Sequence, residues 1–291
     1  MEARFPYRLG CPVFGCRGWV GEVLPAKTPA DRQLAEYARL FDAVEGNGSF
    51  YGLPSAESVL RWKEATPERF RFVQKVPRRI THELALENYA AELRQVVERF
   101  EPMAERLGPM MLQLPPQAGR GALDRIARFL EAAPSIFRWS VEVRHPDWFD
   151  GGRNERDLHG LLARHGAERV VLDSRPLYSG GASDPSTAAA QGKKPRVPPR
   201  QVGLSQTPIL RFIGRNVAAE CDHYLSGWSK VVAKWIGQGK TPFVFCHAPE
   251  ERFAPALCRR FHEHLRRVLP ELEPVPDWPL LPEERSQLRL L

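Results

Sequence analysis

The sequence RWSVEVRHPDW at residues 138–148 decides how the rest of the chain is interpreted. Its apolar residues alternate with polar ones, and this period of two is typical of a β-strand. Because alternate side chains point to opposite faces of a strand, Glu142 and Arg144 leave it on the same side. Pro146 cannot donate a hydrogen bond to a neighbouring strand, so the strand ends before it.

A carboxylate and a guanidinium at the end of an apolar strand are costly to bury, which leaves two interpretations. Glu142 and Arg144 either form one ion pair that closes the core, or they lie at the edge of an active site together with His145. If the site is functional and wet, Glu142→Gln should keep most of the thermal stability while abolishing ligand binding or turnover.

The composition fits a globular protein with a modest positive charge. Hydrophobic residues make up 43% of the 291, enough for a sizeable core. The 42 basic and 35 acidic side chains give a formal net charge of +7. A mixed surface with this excess is compatible with an anionic ligand or with weak attraction to nucleic acid, and it requires neither.

Cysteine usage and the absence of long apolar runs point to a cytoplasmic protein. The five cysteines are odd in number and form no CxxC pair, which indicates a reducing compartment rather than a disulfide framework. Residues 1–5 lack the apolar core of a signal peptide. No apolar run approaches the roughly 18 residues of a transmembrane helix, so we expect no membrane partner.

Other apolar runs have the length of buried strands, and helical periods separate most of them, including a long helix expected over residues 83–107. Alternating strands and helices indicate a parallel sheet, and eight such repeats in a chain of this size indicate a closed (β/α)8 barrel of the TIM type. An open doubly wound sheet is the alternative, but Gly15-Cys16-Arg17-Gly18 does not match its phosphate-binding turn. The predicted strands cover residues 13–16, 41–45, 70–76, 109–114, 138–144, 169–173, 209–213 and 243–247.

We expect one domain over residues 1–291, with one irregular segment. Residues 174–208 are rich in glycine and proline and lack a helical period, so the sixth helix is predicted to be short or missing and a long loop to span 178–207. Because the segment leaves the C-terminal end of the sixth strand, we expect it to cover the barrel mouth and to be mobile. The proline-rich tail over 270–291 is expected on the surface.

Four segments in a fixed order carry a recognisable pattern. They are VEGNGSFYGLPS at 44–55, similar to a "VE-N-TFY-LPS" segment, residues 70–82 ending in ITH, residues 107–116 containing QLPP, and VEVRH at 141–145. Together they resemble the domain-of-unknown-function 72 family, often called YecE-like, closely over 10–150 and more loosely beyond.

This resemblance implies a TIM-type barrel and no particular reaction. The chain departs from the family at FGCRGW (14–19), where the family tends to GTSGW, and at CHA (246–248), where it tends to an asparagine pair.

In such a barrel the C-terminal ends of the strands converge on one mouth, where active sites lie. Strand parity places Glu45, Lys75 and Asp173 on the inward face, two positions after Ala43, Val73 and Val171. We expect Glu45, Glu142, Lys75 and Asp173 to be catalytic, and Asn47, Gln113, Arg144, His145, Arg211 and His247 to bind substrate.

Several cations beside carboxylates suit a site that binds an anion and moves a proton. Arg144 and Arg211 have the forked geometry that holds phosphate or carboxylate. Lys75 would form a Schiff base only if its pKa were lowered, whereas nearby carboxylates raise a lysine pKa. The same cations compete for the carboxylates of a dispersed metal site, so we expect no metal and no other cofactor. Structural roles stay open, because Glu45 can anchor the following turn and Lys75 can simply pair with Glu45 or Glu142.

Three functional hypotheses follow. The first is an enzyme, hydrolase or lyase in type, that uses acid–base chemistry on a small or sugar-like anionic substrate. Glu142 and Glu45 would be its acid and base, Lys75 and Arg144 would bind the anion, and Asp173 would orient a partner. The second is a protein that binds or processes nucleic acid, supported by the basic residues 193–196 and by Phe50-Tyr51. The third is a ligand-binding barrel without catalysis. The oligomeric state is left open.

Overall fold

The computed structural model describes residues 4–182 and 184–279. Its strands are all parallel and form one sheet in the order β3-β2-β1-β8-β7-β6-β5-β4. Two isolated bridges, Phe72 with Leu107 and Lys75 with Met111, link β3 to β4, so the barrel is nearly closed. The strands are β1 (Arg8–Cys11), β2 (Ala43–Gly46), β3 (Arg71–Gln74), β4 (Met110–Gln113), β5 (Trp139–Glu142), β6 (Glu168–Asp173), β7 (Ile209–Ile213) and β8 (Phe243–His247).

Helices follow the strands and bury an apolar stripe against the outside of the barrel. No helix in the described ranges is both long enough and apolar enough to cross a membrane. The helices are α1 (Gln33–Leu40), α2 (Ala56–Glu64), α3 (Ala90–Phe100), α4 (Leu123–Ala132), α5 (Arg153–Arg164), α6 (Arg175–Tyr178), α7 (Pro185–Lys193), α8 (Asp222–Gly237) and α9 (Ala254–Arg266).

The barrel interior consists of an apolar layer with a polar layer above it. The apolar layer is a buried cluster of Ala43, Val73, Met111, Val170, Ile209, Phe243 and Phe245. A residue two positions further along a strand lies on the same face, nearer the mouth. In five cases that residue is polar and buried, namely Glu45, Lys75, Gln113, Arg211 and His247. On β5 the buried Glu142 stands two positions after Ser140, which is buried as well. The fold therefore gathers polar side chains at the C-terminal end of the barrel.

The predicted TIM-type barrel is confirmed, and β5 pairs with β4 and β6 as the sequence indicates. The prediction of the first strand over residues 13–16 is wrong, since β1 spans Arg8–Cys11. Pro12 has no amide hydrogen and follows the strand directly. The next residues form a loop in which Phe14 packs against Trp62 of α2, with ring centroids 5.9 Å apart.

The long helix predicted over residues 83–107 is also wrong, because α3 covers only Ala90–Phe100. A wide π-type turn precedes it at Arg79–Glu83. Between the two, Ala85, Leu86 and Asn88 have positive φ angles of 49°, 63° and 49°, and a right-handed helix cannot continue through such residues.

Residues 174–208 are more regular than expected, because they contain α6 and α7. Leu177 of α6 packs on Leu172 and Ile213, which end the interior rows of β6 and β7. The Tyr178 hydroxyl donates to the carbonyls of Gln191 and Lys194, both at 2.6 Å. These contacts hold the segment over the mouth, and its mobility stays a prediction.

In the described part of the expected surface tail over 270–291, some side chains are exposed and others are buried. Leu272 and Val275 are each 6% exposed and belong to the main core cluster. Residues 280–291 of that expected tail lie outside the described residues, as does Ser183 of the expected loop.

Gly10 of β1 packs directly against the backbone of β2. A Cβ atom built on Gly10 would lie 1.9 Å from the Ala43 carbonyl oxygen and 2.9 Å from the Tyr37 hydroxyl. That hydroxyl accepts from the Cys11 amide at 2.7 Å and donates to the Ala43 carbonyl at 2.8 Å, joining β1 to β2. We expect Gly10→Ala to lower the free energy of unfolding by at least ~1–3 kcal/mol in denaturant titrations.

Gly227→Ala is the matched control, because nothing lies within 4 Å of a Cβ atom at Gly227 in the middle of α8. It should stabilise the protein by about 0.5–1 kcal/mol. Equal effects of the two substitutions would contradict the close packing at Gly10.

Candidate functional site

Arg211 of β7 lies at the centre of the barrel mouth between two carboxylates. Its Nε and Nη2 atoms donate to Oε2 and Oε1 of Glu45 at 2.7 and 2.8 Å. Its Nη1 atom donates to Oε2 of Glu142. All three side chains are buried. One guanidinium thus joins β2, β5 and β7, no two of which are neighbours in the sheet.

Further donors satisfy the remaining carboxylate oxygens. Oε1 of Glu142 accepts from Gln113 Nε2 at 2.8 Å and from Arg144 Nε and Nη2 at 2.8 and 2.7 Å. His247 Nε2 lies 3.1 Å from Oε2 of Glu45. Since an ionised carboxylate can only accept, the imidazole must be the donor.

Both carboxylates are ionised at neutral pH. Burial acts to raise the pKa of Glu45, but Arg211, His247 and Lys75 hold it well below its ordinary value. Burial also acts to raise the pKa of Glu142, but Arg211, Arg144 and Lys75 outweigh it and hold this pKa well below its ordinary value. A general acid must carry a proton at the working pH, so the arrangement does not suit the acid–base pair expected of Glu142 and Glu45.

The His247 ring is neutral in this site. Burial is the main cause that lowers the pKa of His247 to about 4, and the attraction of Glu45 only partly opposes it. A neutral imidazole that donates to Glu45 orients the carboxylate without adding a charge.

Lys75 is the group whose protonation is balanced near neutrality. Its Nζ atom lies 3.5 Å from Oε1 of Glu45 and 3.5 Å from Oε1 of Gln113. Burial, followed by repulsion from Arg211, lowers the pKa of Lys75 to about 7, against the attraction of Glu45 and Glu142. The expectation that nearby carboxylates raise this pKa is therefore wrong in its net direction, because burial and the charge of Arg211 together outweigh their attraction.

Lys194 also belongs to the charge cluster. Strand parity could not predict this, because Lys194 does not lie on a strand. It lies just after α7 and is half-buried. Burial and then Arg211 lower the pKa of Lys194 to about 8, while Glu45 and Glu142 oppose the shift. The available signal was the basic run in the segment leaving β6. With Lys194 included, four cations face two carboxylates, so the cluster carries an excess of positive charge.

Aromatic rings form part of the rim above this cluster. The Phe50 ring centroid is 5.8 Å from Lys75 Nζ and 5.1 Å from the His82 ring. Burial, followed by the charge of Arg144, lowers the pKa of His82. Tyr51 packs edge-on against Phe50 and is 80% exposed. The rim thus offers ring surfaces next to a buried amine.

Asp173 does not reach the cluster, so its expected inward orientation is wrong. Its Oδ2 atom accepts from Trp228 Nε1 of α8 at 2.7 Å and from Arg175 Nη2 at 2.8 Å. On β6, Val170 lies in the interior cluster, and Leu172 lies on the same face nearer the mouth. Val171 lies on the opposite face, in the core between the barrel and the helices. Asp173 therefore ties the barrel wall to α8 and cannot orient a partner in the mouth.

Two other expected residues lie away from the centre. Asn47 Nδ2 donates to the Pro12 carbonyl at 2.9 Å and lines a separate cavity of about 370 Å³ between the barrel and α2. His145 Nδ1 accepts from the Asp147 amide at 3.2 Å, and the ring is 32% exposed at the rim. The structure therefore unites Glu45, Lys75, Gln113, Glu142, Arg144, Arg211 and His247 of the ten predicted residues.

The donor set is a poor one for a metal. Both oxygens of Glu45 are bound by Arg211, and His247 directs Nε2–H at the same carboxylate. Within residues 4–182 and 184–279, no group of three or more His, Cys, Asp or Glu residues is arranged to hold a metal ion.

The fold and the cluster define a class: a TIM-type barrel with a buried network of arginine, lysine and glutamate at its mouth. Residues 8–279 match the family model described as "Protein of unknown function DUF72". The chain belongs to this family.

Relatives by sequence and by structure agree. The chain is 39% identical to the UPF0759 protein YecE of Escherichia coli K12 over 246 residues, covering 84% of this chain and 90% of that protein. It is 26% identical to the UPF0759 protein YunF of Bacillus subtilis over 212 residues, covering 69% of this chain and 70% of YunF.

Among solved structures, a DUF72 family protein of Thermotoga maritima superimposes with a TM-score of 0.68 at 22% identity, covering 90% of this chain and 99% of that one. One from Enterococcus faecalis gives 0.67 at 19% identity, covering 89% and 95%. At these identities the structural likeness shows the barrel fold alone.

The burial of Glu142 changes the stability expected of Glu142→Gln. The carboxylate is fully buried and faces two guanidinium groups, so its neutralisation leaves buried positive charge unpaired. We expect a loss of ~3–5 kcal/mol at pH 7 in denaturant titrations. A glutamate whose pKa is lowered in the folded protein contributes stability above its unfolded pKa of 4.5, and this contribution is lost as pH falls below that value. The gap between wild type and Glu142→Gln should therefore shrink in acid.

Glu57→Gln is the control, since that carboxylate is 79% exposed and pairs with Arg61 of the same helix. It should change stability by no more than about 0.5 kcal/mol. If Glu142→Gln were equally harmless at pH 7, the mouth would be solvated as the sequence suggested.

Proposed function

We propose that this protein is an enzyme that moves a proton on a small anionic substrate at the barrel mouth, with Lys75 as the base. The observation that carries this proposal is the Lys75 amine, held between Glu45 and Gln113 beside Arg211. A base acts best when its pKa is close to the working pH, and a lysine usually has a pKa far above it.

The lowered pKa of Lys75 carries an energetic penalty that a purely structural lysine would avoid. The difference between 10.5 and about 7 corresponds to roughly 5 kcal/mol in favour of the neutral amine. Groups perturbed by burial together with a specific charge are concentrated at functional sites. An apolar side chain in this place would fill the barrel without the penalty.

The remaining residues have separate roles in this proposal. Arg211 holds the two carboxylates ionised and disfavours a proton on Lys75. Arg144, 16% exposed, and Lys194 lie where an anion entering the mouth would meet them. The Phe50 ring gives a sugar or another ring an apolar face close to Lys75. Proton abstraction from carbon beside a carboxylate or carbonyl fits a lyase-type reaction, and attack of the same amine on the carbonyl is its covalent variant.

The proton balance of Lys75 can be measured without a substrate. Between pH 7 and 10.5 the unfolded chain binds a proton at this lysine that the folded chain does not, so wild-type stability should rise with pH across this window. Lys75→Met should remove that rise and stabilise the protein by about 0.5–2 kcal/mol at pH 6–7. Unfolding of both proteins in denaturant at several pH values is the measurement.

Lys230→Met is the control, because that lysine is exposed on α8. It should leave the pH profile unchanged. A Lys75→Met variant that is less stable than wild type at every pH would identify Lys75 as a structural ion-pair partner.

Turnover can be sought with a panel of small carboxylates and sugar phosphates. We expect the rate with an active compound to rise with pH through about 7, as Lys75 loses its proton. Lys75→Met should lower kcat by ~10²–10⁴-fold. Arg144→Met should mainly raise KM. Retained turnover in Lys75→Met would exclude Lys75 as the base, and binding without turnover across the panel would favour a non-catalytic ligand-binding barrel.

Nucleic-acid binding is the second candidate, and the 80% exposure of Tyr51 beside Phe50 favours it. Exposed aromatic rings next to cations can stack on unpaired bases. The basic run at 193–196 offers less than expected, since Lys194 is drawn into the mouth and Arg196 stacks on Tyr178 at 5.5 Å.

In a fluorescence-anisotropy titration, single-stranded oligonucleotide affinity should fall steeply with salt if this candidate is correct. Tyr51→Ala should then weaken binding by about 1–3 kcal/mol. Binding that is absent at low salt, or insensitive to Tyr51→Ala, would reject it.

A further inference from the structure

A second cationic site lies at the opposite end of the barrel. Arg8 begins β1, Arg71 begins β3, and Arg138 immediately precedes β5. All three line one cavity of about 270 Å³. Thr207 and Thr241, just before β7 and β8, line it as well. The cavity therefore lies at the N-terminal end of the strands, across the apolar layer from the mouth.

The protein compensates the charge in this cavity only in part, through the attraction of Asp42 for Arg8 and of Glu105 for Arg71. In the part of the chain that the structure describes, no carboxylate lies within ion-pair distance of Arg8, Arg71 or Arg138. Glu105 also lines the cavity, but its carboxylate is bound to Lys63 at 2.8 Å, outside the lining. The cavity walls consequently carry more positive than negative charge.

Backbone carbonyls hold two of the guanidinium groups without neutralising them. Arg71 Nη1 donates to the carbonyls of Glu68 and Phe70 at 2.6 and 2.9 Å, and Arg8 Nη1 donates to the Phe5 carbonyl at 3.5 Å. Burial lowers the pKa of Arg71, and repulsion from Arg8, Arg106 and Arg138 adds to the effect, against the weaker attraction of Glu105. Like charges held in a concave site repel each other, and an anion bound among them would relieve this repulsion.

We propose that this cavity binds a small polyvalent oxyanion: phosphate itself, or the phosphate group of a small organic molecule. Three guanidinium groups and two threonine hydroxyls are donors suited to phosphate oxygens. The cavity of about 270 Å³ has room for a hydrated phosphate or diphosphate. It is too small to enclose a whole larger ligand, so an organic remainder would extend into solvent past exposed Arg138 and Ile136.

This inference does not depend on the proposed reaction, because the two sites share no residue. Lys75 and Arg144 lie at the mouth, whereas Arg71 and Arg138 lie at the other end of the barrel. Variants at one end therefore test that end alone.

The test is calorimetric titration of the full chain with inorganic phosphate in a low-salt buffer without other polyvalent anions. We expect saturable binding to the wild type that weakens as salt is added. Arg138→Gln and Arg71→Gln should each weaken it by about tenfold or more, as expected for the loss of a charged hydrogen bond. Arg138 is exposed, so Arg138→Gln should fold even if Arg71→Gln does not.

Two controls make the result specific to this cavity. Arg153→Gln removes an equal charge from an 85% exposed side chain on α5 and should leave phosphate binding unchanged. Lys75→Met and Arg144→Met, at the mouth, should leave unchanged the part of the phosphate binding that Arg138→Gln weakens. Phosphate binding lost in the mouth variants but kept in Arg138→Gln would overturn the proposal, as would no saturable binding at all.

Further titrants distinguish the source of the phosphate group. Adenosine monophosphate that binds as weakly as phosphate would indicate free phosphate, and tighter binding would indicate a phosphorylated organic molecule. Both outcomes support the site. A requirement for Arg138 in binding an oligonucleotide, with no effect of phosphate, would reduce the cavity to a non-specific basic surface and overturn it.

Discussion

The bridge that Arg211 makes between Glu45 and Glu142 governs the arrangement of the barrel mouth. A buried guanidinium is tolerated only with anions beside it, and each buried carboxylate in turn needs its own donors. Gln113, Arg144 and His247 supply them, and each stands on a different strand or strand end. Strand parity and the apolar layer beneath fix where these side chains meet. The position of every member therefore depends on the others.

The same bridge explains the state of Lys75. In the absence of Arg211, two carboxylates near an amine would keep it protonated. With Arg211 present, their charge is already compensated, and the second cation in the cluster is disfavoured by burial and by repulsion. A single arginine thus both assembles the site and tunes the amine next to it. A substitution of Arg211 would disturb both the assembly of the cluster and the pKa of Lys75. A substitution of Lys75 removes the amine while Arg211 still binds both carboxylates.

Both the barrel and most of the cluster could be predicted from the sequence, because the alternation of side chains along a strand indicates the strands and also their inward-facing residues. Where apolar residues alternate with polar ones, as in residues 138–144, parity identifies the inward face. The rule fails on β6, because Val170, Val171 and Leu172 follow one another with no polar residue between them to mark a face. Nothing in that strand distinguished Val170 from Val171, so Asp173 was assigned to the wrong face. Lys194 lay beyond any strand rule, because its position depends on how α6 and α7 fold back over β6. The strand Arg8–Cys11 could not be predicted from its sequence, because it contains no β-branched or aromatic residue.

Seven of the 42 basic side chains lie in two clusters at the ends of the barrel. Cations collect at the two ends of the barrel, and the apolar layer of Val73, Met111 and Phe245 separates them. At the mouth, two carboxylates compensate part of the charge, and the Phe50 ring lies beside Lys75. At the other end, Glu105 and Asp42 compensate part of the charge of the three arginines. A protein that held nucleic acid by charge alone would need its cations spread along an exposed face. The cations of the two clusters are instead confined, which is the arrangement expected if the ligands proposed above are small anions.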